Sequence, residues 1–161
     1  MTAKIDIDAL SAVVGTRYPA PFDTPCRARE RRRLGDAAGL TQFGVNLTRL
    51  PPGTWSSQRH WHTSADEFVC VLEGELVLVT DAGREILRPG DYVGFPAGRA
   101  DGHQLRNEGS ADAVILEIGT RGPDDAAHYS DIDMVAPAHE TPSVYTRRDG
   151  TPYPAGPRTG P

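Results

Sequence analysis

From about residue 41 to residue 119, apolar and polar positions alternate in short runs separated by turn residues. "TQFGVNLTRL" (41–50) alternates, "EFVCVLEG" and "ELVLVT" meet at Gly74, "EILRPGDYVGFPAG" (85–98) carries two further turn signals, and "DAVILEIG" (112–119) closes the series. A repeat of two sends neighbouring side chains to opposite faces of a strand. Short strands of Val, Ile, Leu and Phe, punctuated by Gly, Pro and Asp, predict an all-β sandwich or barrel. No long amphipathic helix and no equal-period repeat interrupts the pattern.

The pattern divides the chain into residues 1–26, an N-terminal extension, residues 27–120, a β domain, and residues 121–161, a C-terminal extension. "IDIDALSAVVG" (5–15) reads as a short helix or an edge strand. The prolines of "YPAPFDTP" (18–25) impose an extended path. "RARERRR" (27–33) alternates and predicts a solvated strand face before the turn at Leu34, Gly35 and Asp36. The last segment is rich in Pro, Gly, Asp and Tyr, so we expect its tyrosines to pack on the barrel and its last ten residues to be flexible.

Composition narrows the function classes. A length of 161 residues favours one domain, and 17 glycines with 14 prolines suit many turns. The net charge of −5 argues against a nucleic-acid partner. No apolar run approaches the roughly 18–20 residues of a membrane span. Aspartates interrupt the N-terminus where a signal peptide needs an apolar core, so a cytoplasmic protein is expected. The two cysteines, Cys26 and Cys70, do not suggest a disulfide framework, and Cys70, inside an apolar strand, is expected to be a small buried hydrophobe.

The candidate chemistry sits at "QRHWHTSADEF" (58–68). On a strand, His60 and His62 project to one face, Gln58 can join them, and Arg59 and Trp61 point away. Glu67 opens the next strand after a short polar link, and His103 enters from a later strand. Imidazoles and a carboxylate are the donors that bind a first-row transition metal. His128 and His139 lack partner spacing and are expected to be ordinary loop histidines.

These residues resemble the two motifs of the cupin superfamily. The first is similar to Gly53, His60, His62, Glu67 and Gly74, and the second to Gly90, Pro96, Gly98, His103 and Asn107. The spacers before His60 and His103 are one and two residues longer than usual, and "PAGRADGH" resembles a variant among small bacterial cupins labelled sugar-phosphate-isomerase-like. The resemblance implies a double-stranded β-helix, a jelly-roll-like barrel. It also implies one divalent metal (iron, manganese, nickel or zinc) held by His60, His62, Glu67 and His103, with open coordination positions.

Three functions follow from that implication. A metal-dependent oxidoreductase, of dioxygenase type, is placed slightly first. A redox-neutral isomerase, epimerase or lyase is the alternative, with Glu117 and Tyr92 as candidate catalytic groups. A non-catalytic metal- or ligand-binding protein is the third. Gln58, Arg99 and Trp55 are the candidate contacts to a small polar molecule. Small cupins commonly pair, so a homodimer is expected, with the strand at 27–34 offering a sheet edge.

Overall fold

The computed structural model describes residues 4–138 and 144–156. His139, and the residues after 156 within the final ten, lie outside the described residues. Among the described residues no helix is long and apolar enough to cross a membrane.

The strands are β1 (Val13–Val14), β2 (Glu30–Arg33), β3 (Phe43–Leu50), β4 (His60–His62), β5 (Glu67–Glu73), β6 (Leu76–Thr80), β7 (Gly83–Leu87), β8 (Tyr92–Phe95), β9 (Gln104–Arg106), β10 (Ala113–Thr120), β11 (Ala127–Tyr129) and β12 (Val135–Ala136). A single helical turn, α1 (Leu34–Ala37), follows β2. The protein is all-β, as the alternation predicts. One sheet has the order β1-β2-β3-β10-β5-β8, a second β7-β6-β9, and a third β12-β11-β4. Isolated bridges between Trp55 and Arg106, and between His60 and His103, carry the chain from the second sheet to the third. Among the described residues, hydrogen bonding does not close the three sheets into one ring.

Alternation along the strands builds the core. Leu50 of β3, Val69 and Val71 of β5, and Ala113 and Ile115 of β10 point inward from the large sheet. Leu76, Leu78, Leu87 and Leu105 meet them from the second sheet. The two sheets thus face each other across one apolar layer, the jelly-roll-like arrangement expected for the chain. The inward row of β5 ends in Glu67, and that of β10 continues to Glu117, which pairs across the ladder with Val69. Both carboxylates therefore enter the interior at the end where the leucines stop.

A second core joins both extensions. Tyr18, Cys26, Ala127, Tyr129 and Met134 are buried together, with Phe22, Trp55, Tyr145 and Tyr153 against them. Tyr18 meets Tyr129 edge-on at 5.6 Å and Tyr145 at 5.3 Å. Tyr153 lies among the last ten residues, and its hydroxyl donates to the carbonyl of Asp133 at 2.7 Å.

Several local expectations change. Of helix or edge strand for residues 5–15, Val13–Val14 form the edge strand, and they pair with β2. The strand at 27–34 is consequently not the outermost of its sheet: β3 pairs along Glu30–Arg33 on one side, and β1 covers Glu30 and Arg31 on the other. Cys70 is not the buried cysteine: period two sends it outward with Phe68 and Leu72, while Cys26 is fully buried, and both thiols are free. "RARERRR" is only partly solvated, because its odd-numbered members Arg29 and Arg31 turn into the interior.

Candidate metal centre

Three elements converge on one point. β4 is short, and its His60 and His62 share a face as a strand dictates. Glu67 begins β5 directly after the link Thr63–Asp66. His103 precedes β9, and its backbone exchanges two hydrogen bonds with His60, of 2.8 and 3.1 Å. The longer spacer before His103 is absorbed in a loop. Asp101 there accepts from the Asp81 N–H, and Arg59 donates to the carbonyl of Gly102 at 3.3 Å. His103 thus reaches its register next to His60 despite the two extra residues.

His60, His62 and Glu67 bring their donor atoms within 4.8 Å of one another. Nε2 of His60 lies 3.1 Å from Nε2 of His62. Oε2 of Glu67 is 3.5 Å from His62 Nε2 and 3.9 Å from His60 Nε2. His103 joins through Glu67, its Nε2 lying 2.8 Å from Oε2. Ligands about 2.1 Å from a metal and at right angles stand about 3 Å apart, so the spacings suit a cation among them.

The hydrogen bonds on the far sides of the rings fix which nitrogens face inward. His60 Nδ1–H donates to the carbonyl of Gln58 at 2.9 Å. His62 Nδ1–H donates to Oδ2 of Asp125 at 2.5 Å. Burial pushes the His60 imidazole down to about 3, against the field of Glu67, so His60 is neutral at ordinary pH. With their Nδ1 atoms engaged by Gln58 and Asp125, both rings turn Nε2 toward the cluster. The two Nε2 atoms, 3.1 Å apart with the Glu67 carboxylate beside them, form a nitrogen-and-oxygen donor set that a transition-metal cation would bridge. Burial works against the charge on Glu67, but the His103 hydrogen bond and the neighbouring imidazoles hold its carboxyl well below the usual range. His103 is 7% exposed, stacks on Phe95 at 3.6 Å, and keeps its buried Nδ1 without a partner.

Asp125 is absent from the candidates read off the sequence. It lies in the C-terminal extension, just before β11, which pairs with β4 in the register Ala127 to His62 and Tyr129 to His60. Its Oδ1 accepts from the N–H groups of Ser64 and Ala65 at 2.9 and 3.1 Å. Burial opposes its charge, and these amides together with His62 overcome that and lower its carboxyl. A carboxylate behind a ligating imidazole fixes the ring and raises its basicity. β11 adds a second support: Tyr129 stacks on His60 at 5.6 Å. His128, expected to be a loop histidine, is on β11 and stacks on Trp61 at 4.7 Å.

The remaining candidates fall in different places. Glu117 lines an interior cavity of about 240 Å³ together with His60, His62, Glu67 and His103. Its carboxylate takes Arg31 at 2.9 Å and the Thr48 hydroxyl at 2.7 Å. Arg99 stands on the other side of the cluster, in a mouth of about 150 Å³ that also contains His62, Glu67, Asp101 and His103. Gln58 is buried, and its amide donates to the carbonyl of Phe22 at 2.7 Å. Trp55 packs in the second core beneath the Arg106 guanidinium at 3.9 Å. Tyr92 is on the outer face of the large sheet, 65% exposed and stacked on Phe68 at 6.1 Å.

Comparison with known proteins gives a consistent picture. Residues 46–119 match the family model of the Cupin domain. A crystal structure from Silicibacter pomeroyi, named a sugar phosphate isomerase from a cupin superfamily, is 47% identical with a TM-score of 0.90, covering 94% of this chain and 97% of that one. A structure from Acidithiobacillus ferrooxidans, provisionally named a sugar phosphate isomerase, is 32% identical with a TM-score of 0.65, covering 78% of this chain and 74% of that one. A polyketide cyclase from Streptomyces resistomycificus shares the fold at 20% identity, with a TM-score of 0.61 over 74% of this chain and 80% of its own. No curated protein sequence matches.

Proposed function

The chain belongs to the cupin superfamily, and on that premise we propose that it is a metal-dependent isomerase acting on a small hydroxy-carbonyl compound. His60, His62, Glu67 and His103 hold the metal. Three imidazoles and one carboxylate suit iron, manganese, nickel or zinc. Such a metal supplies Lewis acidity toward a carbonyl or hydroxyl oxygen.

The observation that carries the proposal is the position of Glu117. Its carboxylate opens into the same cavity as the four ligands, held there by Arg31 and Thr48. A carboxylate has about four acceptor sites, so these contacts leave room for a further proton. Glu117 takes the proton from the hydroxyl-bearing carbon and returns it to the neighbouring carbonyl carbon. The hydroxyl proton passes to the former carbonyl oxygen, and no electrons leave the substrate. Arg31 and Thr48 keep the carboxylate oriented throughout. The sequence alone placed oxidation slightly first. Isomerisation uses a base of this kind to move the carbon-bound proton, and that favours it over oxidation. Two of the structural relatives carry sugar phosphate isomerase in their names, which supports the same reaction class.

The test uses metal-loaded protein in deuterium oxide with a panel of aldose and ketose phosphates. Deuterium should enter the substrate carbon next to the carbonyl, without oxygen uptake. Glu117→Gln should keep the metal and lose about 10²–10⁴-fold in exchange rate. Substrate-dependent oxygen consumption would restore the dioxygenase reading. Thermal stabilisation by the same compounds, with neither exchange nor product, would make the protein a binder.

A further inference from the structure

Beyond the metal ligands the interior cavity adjoins a second one of about 230 Å³ that opens to the surface, lined by the half-buried Arg29 and Arg31, the exposed Arg17 and Arg33, Tyr18 and Tyr145 among others. Tyr18, Arg29 and Arg31 line both cavities, so the two adjoin. Among the described residues no carboxylate lines the second one. Alternation along the "RARERRR" stretch places Arg29, Arg31 and Arg33 on one face.

The charges there are incompletely neutralised. Arg31 is paired with Glu117, and Arg33 lies 3.8 Å from Asp36. Among the described residues Arg17 and Arg29 form no ion pair with a carboxylate. Arg29 donates only to neutral carbonyls, those of Ser56 and Gly15, and its Nε is buried without a partner. Burial and then the neighbouring Arg31 disfavour its charge, and the more distant Glu117 carboxylate offsets them only in part. A buried cation without a counter-ion is costly, and an arriving anion removes that cost.

We propose that this arginine-lined cavity is the subsite for a phosphate monoester carried by the substrate. The guanidinium fork matches phosphate geometry, and two uncompensated cations match a dianion better than a single carboxylate. The location rests on the isomerase reading in one respect: the phosphate docks here so that the hydroxy-carbonyl end lies between Glu117 and the metal ligands. The subsite also gives the alternating arginines a role that a solvated strand face would not.

Calorimetric titration with inorganic phosphate, and with acetate at matched ionic strength, tests it. Phosphate should bind at least about tenfold more tightly than acetate, and more weakly as salt is added. Arg17→Gln should weaken phosphate binding about tenfold. Arg17 is exposed, so its melting temperature and metal content should match the parent. Arg29→Lys, which keeps the charge and loses the fork, should also weaken phosphate. Phosphate binding no tighter than acetate, or unchanged in both variants, overturns the subsite. Protein stripped of metal by a chelator should bind phosphate as before. Loss of phosphate binding together with the metal would place the anion on the metal and refute the subsite. Absence of metal from the purified protein would instead count against the isomerase reading and leave the phosphate titration intact.

Discussion

At the scale of single residues, the site depends on which imidazole nitrogens carry protons. Asp125 sets this for His62, through the 2.5 Å hydrogen bond to Nδ1. Asp125→Asn removes the negative charge behind the ring while preserving its shape. Metal affinity should fall about 10–100-fold, as for other partners of ligating histidines. Competition with a chromogenic chelator measures it, and an unchanged affinity would show that the backbone alone orients His62. The sequence made the ligands legible because His60, His62 and Glu67 are near neighbours whose spacing survives folding. Asp125 was not legible, since it reaches His62 across 63 positions and only the pairing of β11 with β4 brings it there. Gln58 marks where the alternation stops. Two residues before His60 it would share the ligand face of a longer strand, but β4 begins at His60, and Gln58 turns to Phe22.

At the scale of elements, period two sorted the long strands and failed at their borders. β5 and β10 have the inward rows that alternation predicts, and the same rule applied to Glu117 places it inside, beside Val69. β4, β11 and β12 are two or three residues long, too short for a period to register. Turn glycines were readable because their conformations are ones few other residues adopt. Gly74 has φ of +75°, and a Cβ there would stand 2.5 Å from the carbonyl oxygen of Asp112 and 2.7 Å from Cα of Ala113. Both obstacles are backbone in β10 and the loop before it, so they cannot rotate away. Gly74→Ala should cost about 2–4 kcal/mol, the left-handed penalty of roughly 1–2 kcal/mol plus the clash. Urea unfolding measures this. A loss under about 0.5 kcal/mol would mean that the junction of β5 and β6 shifts freely.

At the scale of the whole molecule, the large sheet has two unlike faces. Its inner face carries the core and the two carboxylates. Its outer face presents Val45 and Leu47 of β3, Leu116 and Ile118 of β10, Phe68, Cys70 and Leu72 of β5, and Tyr92 of β8, in rows set by the ladder registers. Phe68 is 42% exposed, Leu72 43% and Tyr92 65%. Glu30, Arg49 and Asp112 form an ion-paired charged edge to this area. An apolar centre with a charged rim is the usual anatomy of an interface, and a twofold axis through it would set each copy's patch against itself. The strand at 27–34 offers little of the sheet edge first expected for pairing, because β3 takes one side along Glu30–Arg33 and β1 covers Glu30 and Arg31 on the other. We therefore expect the homodimer to form face to face through this outer surface. Light scattering on the eluting protein should give twice the mass of one chain, and the double substitution Phe68→Lys, Tyr92→Lys should give a monomer. Period two places both side chains opposite the metal ligands, so the monomer should retain its metal. A wild-type monomer at micromolar concentration, or a double variant that still pairs, would remove this face as the interface.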